Sequence, residues 1–180
     1  VSDGKAGDAR QARALAEAVA RRTNGRVEER AIALRPPYDR LPAWAWALGG
    51  ARTHGWPFTG LTDPEALAPP WPAMAVGCGR RAAPLVAALR RVGGARAVQI
   101  MTPGMRLSAF DAVVAPAHDG LRGPNVLTTL GALNDLTPER FEAEAARWRG
   151  RLAHLPQPRV AVLVGGPSRS ADFGAQALER

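Results

Sequence analysis

Apolar positions near the start of the chain recur with a helical beat. Ala12, Leu15, Ala16, Val19 and Ala20 fall at the spacing that turns one side of a helix toward a core, and Asn24-Gly25 supplies the stop. Over 27–34 the beat loosens into alternation, with Val27, Ala31 and Ala33 set against Glu28, Glu29 and Arg30, which predicts a strand ended by Pro36-Pro37. A short helix is predicted around Trp44 and Trp46. Residues 49–72 carry Gly49-Gly50, Pro57, Pro64 and Pro69-Pro70 and read as a long irregular connection. From Ala73 the pattern becomes regular: strands over 73–76, 97–101, 111–115 and 126–129, a helix over 82–92 stopped by Gly93-Gly94, and a helix over 141–152 with Ala145, Trp148 and Leu152 on one side. A further strand is predicted over 160–164, then a loop over 165–170 and a helix from Asp172 that runs on to Arg180.

Short apolar strands alternating with helices predict an α/β fold, a Rossmann-like doubly wound parallel sheet covered on both faces. In such sheets ligands bind beyond the carboxyl ends of the strands, where the strand order reverses. The residues just after each predicted strand are polar: Ser2-Asp3-Gly4-Lys5, Gly77-Cys78-Gly79-Arg80-Arg81, Thr102-Pro103-Gly104, Pro116-Ala117-His118-Asp119, Thr128-Thr129 and Gly165-Gly166-Pro167-Ser168. All are expected on one edge. Val1 takes the place of the last residue of a first strand and the final helix does not finish, so the chain is expected to be part of a longer polypeptide.

Composition changes this picture little. The 180 residues carry a formal charge of +8, with one lysine, Lys5, among 24 basic residues. That surplus admits anionic partners, but a solvated surface from biased arginine usage accounts for it, and nothing marks a specific nucleic-acid site. The five tryptophans lack the interleaved basic and aromatic pattern of single-strand binders and are expected as core or interface anchors. Cys78 is the only cysteine, so no internal disulfide is possible, and no apolar run approaches the ~20 residues that span a bilayer. The histidines His54, His118 and His154 are far apart, and no metal site is expected.

Three stretches carry candidate chemistry. Ser-Asp-Gly-Lys-Ala-Gly-Asp over 2–8 lacks the Walker spacing, yet it joins a strand to a helix. Free amides of the first helical turn and Lys5 can meet an anion there. Asp3 or Asp8 can instead cap the helix. Gly77-Cys78-Gly79-Arg80-Arg81-Ala82 fits the dinucleotide fingerprint, but that pattern needs an acid about 20 residues on, and 97–101 offers none. Arginines in this turn suit a phosphate or carboxylate better than a ribose. His118-Asp119 at a strand exit pairs a base with a carboxylate, although adjacent side chains usually diverge and the residues alone favour a polar turn before Gly120.

Taken in order, the stretches SDGKAGDARQ, GCGRRAAPLVAALRR, VQIMTP, FDAVVAPAHDG, NVLTTLGAL and LPQPRVAVLVGGPS resemble the mitochondrial-fission "elongated mitochondria" family over nearly the whole chain. Its bacterial branch has been described as a domain of unknown function or as nucleoside-diphosphate-sugar epimerases. The resemblance implies a GT-B-like protein of two Rossmann-like domains facing a cleft. Residues 1–155 would form the amino-terminal, acceptor-side domain and 156–180 the start of a carboxyl-terminal, donor-binding one. It implies glycosyl transfer from a nucleotide-diphosphate sugar to an envelope or lipid-linked acceptor, with no separate cofactor. The alternatives are a non-catalytic scaffold and an epimerase. On this reading Asp8, His118 and Asp119 are the catalytic candidates; Ser2, Asp3, Gly4, Lys5, Gly79, Arg80, Arg81, Gly165, Gly166 and Ser168 would hold the diphosphate. The family pattern has histidine where this chain has Asp8, and aspartate-proline-arginine where it has Thr102-Pro103-Gly104, with Arg106 two places on. The implied setting is cytoplasmic, with at most a peripheral contact at the inner membrane.

Overall fold

The computed structural model describes residues 1–163 apart from Ala47, Thr53 and His54. Helix α1 spans Ala6–Thr23, and the short helix α2 spans Ala43–Trp46. Strands β1 (Met74–Cys78), β2 (Arg96–Ile100), β3 (Ala112–Pro116) and β4 (Val126–Thr129) form a parallel sheet in that order, with helix α3 (Ala83–Gly93) between β1 and β2. The chain divides into two compact units, residues 1–135 and 136–180, and the sheet lies in the first. In the second, helix α4 covers Pro138–Arg151; Thr137 Oγ1 caps it by accepting from the Arg140 amide at 3.2 Å, and the Arg151 guanidinium lies 4.4 Å from the Trp148 ring centre.

Alternation along the strands sorts the core into two layers. Ala75, Ala97 and Val113 face α3, while Val76, Cys78, Val98, Ile100 and Val114 face the side where Ala12 of α1 packs. Helix α3 is the centre of the first layer. Every residue from Ala83 to Leu89 is buried, because the helix is covered by the sheet on one side and by Ile32 and by Phe58, Leu61 and Leu67 of the irregular connection on the other. Gly77 permits the close approach: a Cβ there would stand 2.6 Å from Val86 Cγ2 and 3.3 Å from Ala82 Cβ.

The first residues extend the sheet beyond β1. The Val1 nitrogen donates to the Val76 carbonyl at 2.8 Å, the Ser2 amide donates to the Arg30 carbonyl at 3.2 Å, and the Ile32 amide donates to the Ser2 carbonyl at 2.8 Å. Residues 1–2 therefore lie between 30–32 and β1. The chain runs from this segment to one side through α1, then returns to the other side to begin β1, so the strand order reverses between Ser2 and β1. With α1 and α3 on opposite faces, the fold is a Rossmann-like α/β fold.

Some expected elements differ. The run 27–34 forms no regular strand: only single bridges, Ser2 with Ala31 and Leu34 with Leu61, pair it. Its charged residues are spent in ion pairs, Arg13 with Glu29 (Nη2 to Oε2 2.8 Å) and Arg30 with Glu28 (2.8 Å), as befits an edge. Residues 160–163 are exposed and form no strand, because a strand must pair its backbone groups and none of the described residues pairs with these. Val164, the loop over 165–170 and the last helix lie outside the described residues.

One ion network fastens β2 to β3. Asp111, just before β3, accepts from the Ala97 amide at 2.8 Å, from Arg90 Nε at 3.0 Å and from Arg96 Nη1 at 3.4 Å. The amide bond, followed by the two guanidinium groups, holds its carboxyl below the usual aspartate range. A depressed carboxyl stabilises the fold above its unfolded pKa and loses that contribution as pH falls through the folded value. Asp111→Ala is therefore expected to cost about 1–3 kcal/mol at neutral pH. Urea curves of the parent and the variant should begin to draw together only as pH falls below about 4 and meet below the depressed folded value. A gap independent of pH would rule this linkage out.

Candidate functional site

The reversal of strand order brings two of the quoted loops together. Lys5 Nζ stands 3.2 Å from Asp3 Oδ2, and Arg81 Nη1 stands 3.9 Å from the same oxygen. The Asp3 side chain is only 6% exposed, while the two cations reach solvent. Asp3 thus holds Lys5 and Arg81 beside each other although 76 positions separate them along the chain. It also accepts from the Lys5 amide, at 3.4 Å, and so shapes the turn. Capping is not its role, nor that of Asp8: Lys5 occupies the N-cap of α1, and no side chain caps that helix.

Asp8 leans across to the second loop. Gly79 has φ +79°, and a Cβ there would stand 2.8 Å from Asp8 Oδ2, so the carboxylate lies over the Gly79 backbone where only glycine leaves room. Beneath it is Cys78. Burial, then the charge of Asp8 and a hydrogen bond with it, push the thiol up to about 12, which keeps it protonated. Gln99 completes the turn from inside, with Nε2 donating to the Gly79 carbonyl at 3.0 Å. It is wholly buried and tied to the loop rather than presented at the surface. A polar residue in the apolar stretch 97–101 was the one signal for this clamp.

Arg80 turns toward the loop after β2. Gly104 has φ +69°, and its absent Cβ would lie 3.6 Å from Arg80 Cδ, so the arginine stem occupies ground that a longer residue at 104 would contest. Arg80 has no ion-pair or hydrogen-bond partner among the described residues. Gly4 and Gly79, both at positive φ, frame the two turns, and Ser2 contributes only backbone pairing.

His118 and Asp119 belong to another part of the edge. They sit in a 3₁₀ turn (Ala117–Asp119) after β3, two strand spacings or about 10 Å along the sheet from β1. Against the general tendency of adjacent side chains, they converge: His118 Nε2 lies 3.6 Å from Asp119 Oδ1. Thr102 Oγ1 donates to Asp119 Oδ2 at 3.1 Å, which ties this turn to the loop after β2. A cavity of about 330 Å³ opens beside it, lined by Ala117, Leu121, Arg122, Val126 and Thr128 among others. The catalytic candidates thus separate into Asp8 at the reversal point and His118-Asp119 beside this cavity. Gly165, Gly166 and Ser168 lie outside the described residues. Among the described residues no three His, Cys, Asp or Glu side chains gather as metal ligands.

A parallel sheet with its order reversed between two cation-bearing loops defines an α/β protein of the Rossmann type whose carboxyl edge presents Lys5, Arg80 and Arg81. The chain belongs to the family described as Mitochondrial fission ELM1, whose model matches residues 6–180. It is similar to the mitochondrial fission protein ELM1 of Arabidopsis thaliana, 28% identical over 129 residues. The match covers 58% of this chain and 30% of that relative, so the chain spans well under two thirds of the relative's length. No solved structure matches the chain.

Proposed function

We propose that this chain contributes the acceptor-side half of a GT-B-like glycosyltransferase that uses a nucleotide-diphosphate sugar. The observation that carries the reading is the convergence of Lys5, Arg81 and Asp8 at the point where the strand order reverses, with Arg80 on the same turn and directed toward Gly104. In the proposed step the Asp8 carboxylate takes the proton of an acceptor hydroxyl. The oxygen attacks the anomeric carbon, the bond from that carbon to the diphosphate oxygen breaks, and the nucleoside diphosphate departs with the electron pair. Lys5, Arg80 and Arg81 offset the charge that develops on the leaving group.

Epimerase chemistry has less support, since it requires a tightly held nicotinamide. The dinucleotide pattern calls for an acid near the end of the second strand, and the polar residue there, Gln99, is buried and bonded to Gly79. A non-catalytic scaffold is the second reading, favoured by the relative whose name describes fission rather than chemistry.

Calorimetry on the complete protein with uridine, guanosine and cytidine diphosphate sugars is the test. One of the panel is expected to bind, and Arg80→Lys should weaken it about tenfold, the loss of one charge-assisted hydrogen bond. Uniform absence of binding would favour the scaffold.

A further inference from the structure

We infer that the solvent face of the segment 41–48 is a membrane-docking surface whose partner is an anionic lipid bilayer. The roll of α2 decides which side chains face outward. Trp46 is buried and stacked on Trp56 with ring centres 4.6 Å apart, the Trp56 indole donates to the Trp46 carbonyl, and Ala43 is buried with it. That packing turns the other apolar residues out: Leu41, Trp44 and Leu48 are 41%, 57% and 77% exposed. Successive tight turns hold them together. The Leu41 amide donates to the Tyr38 carbonyl, that of Ala45 to Pro42 and that of Leu48 to Ala45, so the three exposed residues follow one another through a succession of tight turns. An exposed tryptophan with two leucines, raised on a short turn, is the composition that settles at the boundary between headgroups and acyl chains.

Charge around the patch selects among its possible occupants. Over 35–61 the chain carries Arg35, Arg40 and Arg52 against a single acid, Asp39, and Asp39 Oδ1 is turned away from solvent. All three arginines are exposed, and Arg40 has no partner among the described residues. A second copy of the chain meeting the patch about a two-fold axis would bring Arg40, which adjoins Leu41, toward its own equivalent, a like-charge contact. An anionic bilayer supplies the opposite charge at the depth where the leucines and Trp44 bury. No helix among the described residues is long and apolar enough to cross a membrane, so the contact is peripheral.

The patch is joined to the carboxyl edge. The position of a Cβ on Gly104 is 3.6 Å from both Ala43 Cβ and Arg80 Cδ, so the start of α2 stands beside the arginine end of the proposed anion site. Docking would hold that edge at headgroup level, where an acceptor anchored in lipid presents its polar end. The docking itself does not depend on glycosyl transfer.

Co-sedimentation of the intact protein with vesicles of phosphatidylglycerol and phosphatidylcholine in equal parts, against phosphatidylcholine alone, is the experiment. Binding is expected to the anionic vesicles only and to weaken with salt. Trp44→Ala with Leu48→Ala should reduce it at least about tenfold, since two apolar side chains are no longer buried. Arg40→Ala with Arg52→Ala, which leaves the apolar face intact, should flatten the salt dependence. Unchanged binding by both double variants would overturn the proposal. So would light scattering showing a dimer of the parent protein that Trp44→Ala with Leu48→Ala dissolves, because the patch would then belong to a second copy. Nucleotide-sugar binding in the absence of vesicles should be the same in all variants, which separates a failure here from a failure of the transferase reading.

Discussion

On the transferase reading proposed above, Asp8→Asn is expected to lower sugar-transfer turnover in the complete protein by about 10²–10⁴-fold, the usual contribution of a general base, with little change in KM. Asparagine keeps the shape of the side chain and its position over Gly79, so neither the turn nor the Lys5–Asp3–Arg81 group is disturbed. The capacity to take a proton goes, together with the negative charge that helps to hold the Cys78 thiol protonated. His118→Ala is the companion measurement, because His118 stands about 10 Å along the edge in a turn fixed by the Thr102–Asp119 bond. Loss of turnover on Asp8→Asn with retention on His118→Ala assigns the base to the reversal point. The opposite result assigns it to the cavity beside β3 and β4. Turnover retained in both variants would take the base away from both positions, and absence of turnover in the parent protein would point to the scaffold.

Leu85→Ala should produce the largest loss of stability of any single truncation considered, about 2–5 kcal/mol by urea denaturation. Leu85 is wholly buried in the helix that is itself covered on both sides, by β1 and β2 and by the irregular connection. Leu85→Met, which conserves volume, should cost less than about 1.5 kcal/mol. Equal losses for the two variants would mean that side-chain shape at this position, rather than the cavity, sets the cost.

Periodicity along the chain determined the elements whose stability is local or whose faces are both buried. Helix α1, helix α3 and the four strands were legible because an amphipathic stripe, or a short apolar run closed by glycine, has few ways to bury itself. The same reading placed the polar strand ends on one edge, and the Lys5 and Arg81 loops do meet there. It failed over 27–34 and 160–163. Alternation specifies a face, but a strand exists only where a neighbour accepts its backbone, and pairing is a property of the sheet. Tertiary structure alone decided which strand ends are adjacent. The order 30–32, 1–2, β1 sets the Asp8 carboxylate over Gly79 and leaves His118 two strands away, although the bare sequence offered both as candidate bases. It also decided that Trp46 turns inward and Trp44 outward. Two tryptophans two positions apart cannot share a face of a short helix, and only the stacked ring of Trp56, ten residues on, determines which of them is buried.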